Sequence, residues 1–194
     1  MNRGGDDINR AFMRCLEGGD LEAAVGVAGG TLKSRASASV ARLIAGLYHL
    51  EVECRAAGEI REANRLKRRR RALLIFCDHG LDVDRLLATV RLSEGYEGKF
   101  LLLTVSGGAA GGRMFFRGGD EWHREILRNA REEVADLGLS RARVDAAGGG
   151  WVRCEDDGAI SISGGSEEFG ACDRHLAADM LRAACPQRAV RVIE

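Results

Sequence analysis

Two different periodicities divide the chain. Up to about residue 95 the apolar positions recur at helical spacing. In "INRAFMRCLEGGDLEAAVGVAGG" they fall at Ile8, Phe12 and Leu16, then at Leu21 and Val25 beyond a Gly-Gly break. Val40, Leu43, Leu47, Leu50 and Cys54 continue the same spacing through a long segment that ends at Gly80, and Asp82 is placed to cap a short helix after it. The pattern predicts a helical hairpin or small bundle.

From Lys99 the period shortens. "KFLLLTV" reads as a buried strand and "RMFFR" as a second one, across the glycine-rich turn "SGGAAGG". A helix over 120–137 follows, ended by Gly138, with Asp120 as its N-cap and Trp122, Ile126, Ala130 and Val134 as its buried stripe. "WVRCED" and "AISIS" read as strands joined by the turn Asp157-Gly158. A second helix over 171–185 stops at Pro186, and "RAVRVI" closes as a strand. Strands and helices mix without a regular βαβ repeat. The expected class is therefore α+β, a mixed sheet with two flanking helices, preceded by an N-terminal all-helical region. The boundary falls near 94–99, giving a helical part over 1–95 and a sheet-bearing part over 98–194. No internal repeat is evident.

Composition narrows the function classes. Hydrophobic residues make up 45% of the chain, enough for a core, and the formal charge is zero. Neutrality argues against general attraction to nucleic acid or an anionic membrane. The six cysteines contain no C-x-x-C pair, no apolar run reaches membrane-spanning length, and "MNRGGDDINR" lacks an apolar signal region. A reduced, soluble, cytoplasmic protein is expected. The basic run "RLKRRRRALL" admits nuclear import or RNA contact, but its place in a helical pattern favours a solvated helix face.

Three features carry candidate chemistry. His123 falls in the first turn of the helix over 120–137, where the dipole disfavours an imidazolium and leaves a neutral ring as a base. It is expected at the edge of the buried stripe, reaching solvent. "SGGSEEFGACDRH" links a strand to a helix, and its glycines, Gly165 among them, allow backbone N–H groups to turn inward as an anion cradle, with Ser166 as a further hydroxyl donor. Lys99 and Arg117 stand at strand edges. His49 and His79 are read as structural and His175 as a packing or hydrogen-bonding residue. His and Cys fall at no recognisable metal-ligand spacing.

Together these stretches resemble the Janus/Ocnus family, whose best-known activity is that of a small phosphohistidine phosphatase. "KFLLLTV" is similar to its first strand with a leading lysine, and "RGGDEWHREI" to its arginine–glycine segment followed by a Glu-aromatic-His motif. "GGGWV" resembles its triple-glycine strand, and "GGSEEFG" its phosphate loop. The order agrees over residues 98–194. The resemblance implies that His123 is the general base, that Lys99 contacts the phosphoryl group, and that the loop of Gly165, Ser166, Glu167 and Glu168 binds phosphate through backbone amides. Arg117 matches the family's arginine. No metal and no cofactor are implied, and the partner is a phosphorylated protein substrate.

Departures from the pattern define the alternative. Trp151 stands where phosphatase members often carry an arginine, and Arg153, on the same side of the strand, is the candidate substitute. Glu167 and Glu168 bring carboxylates to the loop. These features, with the helical half, suit a weak or inactive phosphatase-fold scaffold that engages a protein partner through its N-terminal helices.

Overall fold

Gly58, at a φ of +78°, breaks the long periodic segment into two helices. A computed structural model describes residues 3–28, 37–93, 95–119 and 122–194. The chain forms two compact units, one of Met1–Leu87 with Glu133–Ala142, the other of Ala88–Glu132 with Arg143–Glu194.

The first unit contains α1 (Arg3–Gly18), α2 (Leu21–Ala28), α3 (Ser37–Ala56), α4 (Ile60–His79) and α5 (Val83–Leu86). Helix α4 buries Ala63, Leu66, Ala72, Leu73 and Phe76, the stripe that a 3.6-residue period dictates. As expected, Asp82 caps α5, accepting from the N–H groups of Asp84 and Arg85. Leu50 belongs to the periodic set yet is exposed. Asp20 accepts from Ala23 N–H at the start of α2, and the Gly138 carbonyl takes the N–H groups of Leu21 and Glu22. Segment 133–142 is thus bonded into the helical unit, with Arg141 N–H also donating to Glu22.

The basic run of α4 bonds in four directions. Arg68 holds Asp136 at 2.9 and 2.6 Å, and Arg70 holds Glu51 at 3.2 and 3.0 Å. Arg69 donates to the Glu17 carbonyl and Arg71 to that of Arg85. These side chains fasten α1, α3, α5 and the 133–142 segment to α4. The solvated face expected from the sequence is instead a set of clamps.

The second unit is a six-stranded mixed sheet: β1 (Val90–Arg91), β2 (Gly98–Ser106), β3 (Arg113–Gly118), β4 (Arg143–Cys154), β5 (Ile160–Ser163) and β6 (Val190–Val192), in the order β1-β3-β2-β4-β5-β6. The central four strands are antiparallel and the two edge pairs parallel. Helix α6 (His123–Asp136) follows β3, and α7 (Arg174–Ala184) precedes β6. The fold is α+β, as the periodicity implies. Phe100 and Leu102 of β2, Phe116, Val152, Ile160 and Ile162 form one buried cluster with Ala177, Ala178 and Leu181 of α7. Phe100 and Phe116 stack with centroids 4.5 Å apart.

Boundaries moved where side chains, not periodicity, decide them. Helix α7 starts at Arg174 because the Asp173 carboxylate caps it through Leu176 N–H. Helix α6 starts at His123, with the Trp122 carbonyl accepting from Glu125 and Ile126. The expected cap, Asp120, lies outside the described residues. The triple glycine lies inside a twelve-residue β4 rather than at the start of a strand. Among the described residues, no helix is long and apolar enough to cross a membrane.

Candidate active site

Glycines decide how closely the site assembles. Strand β4 pairs with β2, Gly149 against Leu101 and Gly150 against Phe100, and slips register between Leu101 and Leu103. A Cβ on Gly149 would stand 2.7 Å from the Phe100 carbonyl oxygen, 2.9 Å from Leu101 Cδ2 and 3.0 Å from His123 Cδ2. Gly148, at a φ of +112°, would press one to 2.6 Å from the Ala171 carbonyl oxygen. Nothing larger than hydrogen fits. The imidazole therefore lies on the sheet face shared by Leu101 and the open side of Gly149, opposite the face where α7 packs.

His123 is 7% exposed, and its Nε2 lies 3.3 Å from the Gly150 carbonyl oxygen. A carbonyl only accepts, so this nitrogen carries the N–H and the other ring nitrogen the lone pair. Burial is the main cause holding the ring's pKa below the usual 6.5. The Gly150 carbonyl opposes that shift, the Lys99 ammonium adds to it, and the Glu168 carboxylate opposes it again. Position in the first turn of α6 acts in the same direction as burial. The shift favours the neutral imidazole.

Here two expectations from the sequence reverse. Trp122, assigned to the buried stripe, is 51% exposed, while His123, expected at the solvent edge, is buried. The reason is space: the flat ring of His123 packs against Gly149, where no side chain stands in its way. Trp122 precedes the helical turns and is free of their stripe. Its ring lies over Lys99, with Nζ 4.6 Å from the centroid, and Trp151 meets the same ammonium at 5.7 Å. Lys99 and Trp151 are direct partners across β2 and β4.

The glycine-rich loop joins this group through Gly149, whose N–H donates to the Gly170 carbonyl at 3.0 Å and whose carbonyl accepts from Cys172. A Cβ on Gly164 would meet Trp151 Cδ1 at 3.5 Å, and one on Gly165 would meet Ala171 at 3.2 Å. Ser166 is buried, exchanges both main-chain bonds with Gly170, and accepts from Phe169 N–H through Oγ. Its hydroxyl oxygen braces the turn as an acceptor. Among the described residues, the N–H groups of Glu167 and Glu168 meet no acceptor, and both residues are exposed.

Two cations are engaged elsewhere. Arg117 is buried, with its guanidinium on the carbonyls of Phe116 at 2.9 Å and Thr89 at 3.4 Å and over the Phe115 ring. Arg153 faces Glu97 at 3.5 Å and Glu155 at 3.9 Å. His49, His79 and His175 are all exposed, and His49 keeps a tilted ring contact with Tyr48, centroids 6.1 Å apart. Lys99, His123 and the 164–170 loop therefore surround Gly149–Trp151, while Arg117 is bound into the β1–β3 pair.

Sequence reasoning passed over Trp122 as a site residue and gave no role to the order of the glycines. "GGGW" holds that signal: three consecutive residues without side chains in a strand announce something packed flat against it. The profile of the Janus/Ocnus family matches residues 85–189. No curated protein matches the chain.

Proposed function

This chain belongs to the Janus/Ocnus family, and on that premise we propose that it is a metal-independent phosphatase acting on phosphohistidine, or a related phosphoramidate, in protein substrates. The observation that carries the reading is the imidazole of His123, its Nε2 3.3 Å from the Gly150 carbonyl oxygen, beside the Lys99 ammonium and the 164–170 loop. The phosphoryl oxygens meet Lys99 and the N–H groups of Glu167 and Glu168. The free ring nitrogen of His123 takes a proton from water as its oxygen attacks phosphorus. The P–N bond breaks with its electron pair staying on nitrogen, which takes a proton from solvent, and His123 returns its proton to solvent. A P–N bond is labile enough that positioning, charge and one base suffice.

A test compares dephosphorylation of a phosphohistidine peptide by wild type, His123→Ala and Lys99→Ala. Loss of turnover in His123→Ala by about a hundredfold or more supports a general base. Equal rates for wild type and His123→Ala reject it. A second reading, a scaffold that engages a partner through the helical half, draws on Tyr48, Leu50, Val52 and Ile60, which stand about half exposed there. Phosphate titration followed by NMR separates the two, because a scaffold leaves the amides of 164–170 unmoved.

A further inference from the structure

Resting on the phosphatase reading, we propose that Trp122 and Trp151 form an aromatic seat for the leaving group. The seat selects phosphoramidates whose nitrogen belongs to a flat π system, such as the imidazole of phosphohistidine, over those built on an alkyl amine. The two indoles approach one ammonium, that of Lys99, at 4.6 and 5.7 Å, and remain 51% and 47% exposed. Trp122 is the chain neighbour of His123, and Trp151 is the cross-strand partner of Lys99 beside Gly164. A phosphoryl oxygen paired with Lys99 lies about 3 Å from its nitrogen. Whatever phosphorus is bonded to then lies beside both rings. Exposed indole faces gain from stacking on an aromatic ring and gain less from a flexible alkyl chain.

These are the chain's two tryptophans, so fluorescence excited selectively at tryptophan reports on this place alone. Phenylphosphonate, cyclohexylphosphonate and inorganic phosphate are titrated into the full chain. The two phosphonates carry the same anionic group on rings of similar size, one flat and one puckered. Phenylphosphonate is expected to bind about fivefold more tightly, a difference worth about 1 kcal/mol. Trp151→Ala abolishes that preference and Trp151→Phe keeps it. Equal affinity for both phosphonates in wild type, with phosphate still bound, overturns the seat and leaves the phosphatase reading standing. Failure of all three anions to bind overturns both.

Discussion

The Nε2 of His123 stands 3.3 Å from the carbonyl oxygen of Gly150, while the residue before it, Gly149, has no side chain to keep the ring away. This approach sets the tautomer, while burial holds the ring toward its neutral form against the pull of the Gly150 carbonyl. The folded pKa lies below 6.5, and on the proposed mechanism protonation of His123 stops turnover. Turnover is expected to rise with pH along an acid limb centred below 6.5 and then to stay level through neutrality. A rate profile on a phosphohistidine peptide checks it, and a limb centred above 7 contradicts the assignment.

The same shift enters stability. A histidine with a lowered folded pKa is protonated more readily in the unfolded chain. Its stabilising contribution is complete above the unfolded pKa and declines as pH falls through the folded one. Urea midpoints of wild type should drop between pH 7 and 5 more than those of His123→Gln.

Glu168 raises the His123 pKa and sits in the loop that would hold an anion. Glu168→Gln is expected to move the acid limb to lower pH and to tighten phosphate binding by a few-fold, about 1 kcal/mol at surface dielectric. Isothermal titration with phosphate at low and high salt tests the sign.

Two glycine substitutions should behave in opposite ways. Gly149→Ala forces a methyl against Phe100, Leu101 and His123 and is expected to cost about 1 to 3 kcal/mol and most of the turnover. Gly46→Ala, within α3 and facing open space, should stabilise by about 0.5 to 1 kcal/mol. Denaturation curves of the pair decide between a packing role and a merely conformational one.

The Arg68–Asp136 fork is two-pronged and half-buried. Arg68→Lys keeps the charge but loses the fork, so a loss of about 1 kcal/mol is expected. Circular dichroism during urea unfolding measures it.

Periodicity revealed the helical first half, the succession of strands along the chain after Lys99 and the turn at Asp157-Gly158, because burial imposes a regular repeat on regular elements. It failed where a tertiary contact overrides the repeat. His123 and Trp122 exchanged burial because Gly149 makes room on a neighbouring strand, which is invisible in the helix's own pattern. The arginines of α4 read as a solvated face because their acceptors, among them Glu17, Glu51 and Asp136, are remote in sequence. Strand β1, two residues long, is too short to carry any period.

Segment 133–142 has a consequence for how the chain is made. Synthesis delivers the five N-terminal helices first, yet the Gly138 carbonyl that receives Leu21 and Glu22 and the carboxylate that receives Arg68 emerge only after three strands of the sheet have been translated. The helical unit stays unfinished on the ribosome until then. A shortened gene that starts at β2 would leave this late-arriving stretch without the amides and guanidinium it was built to meet.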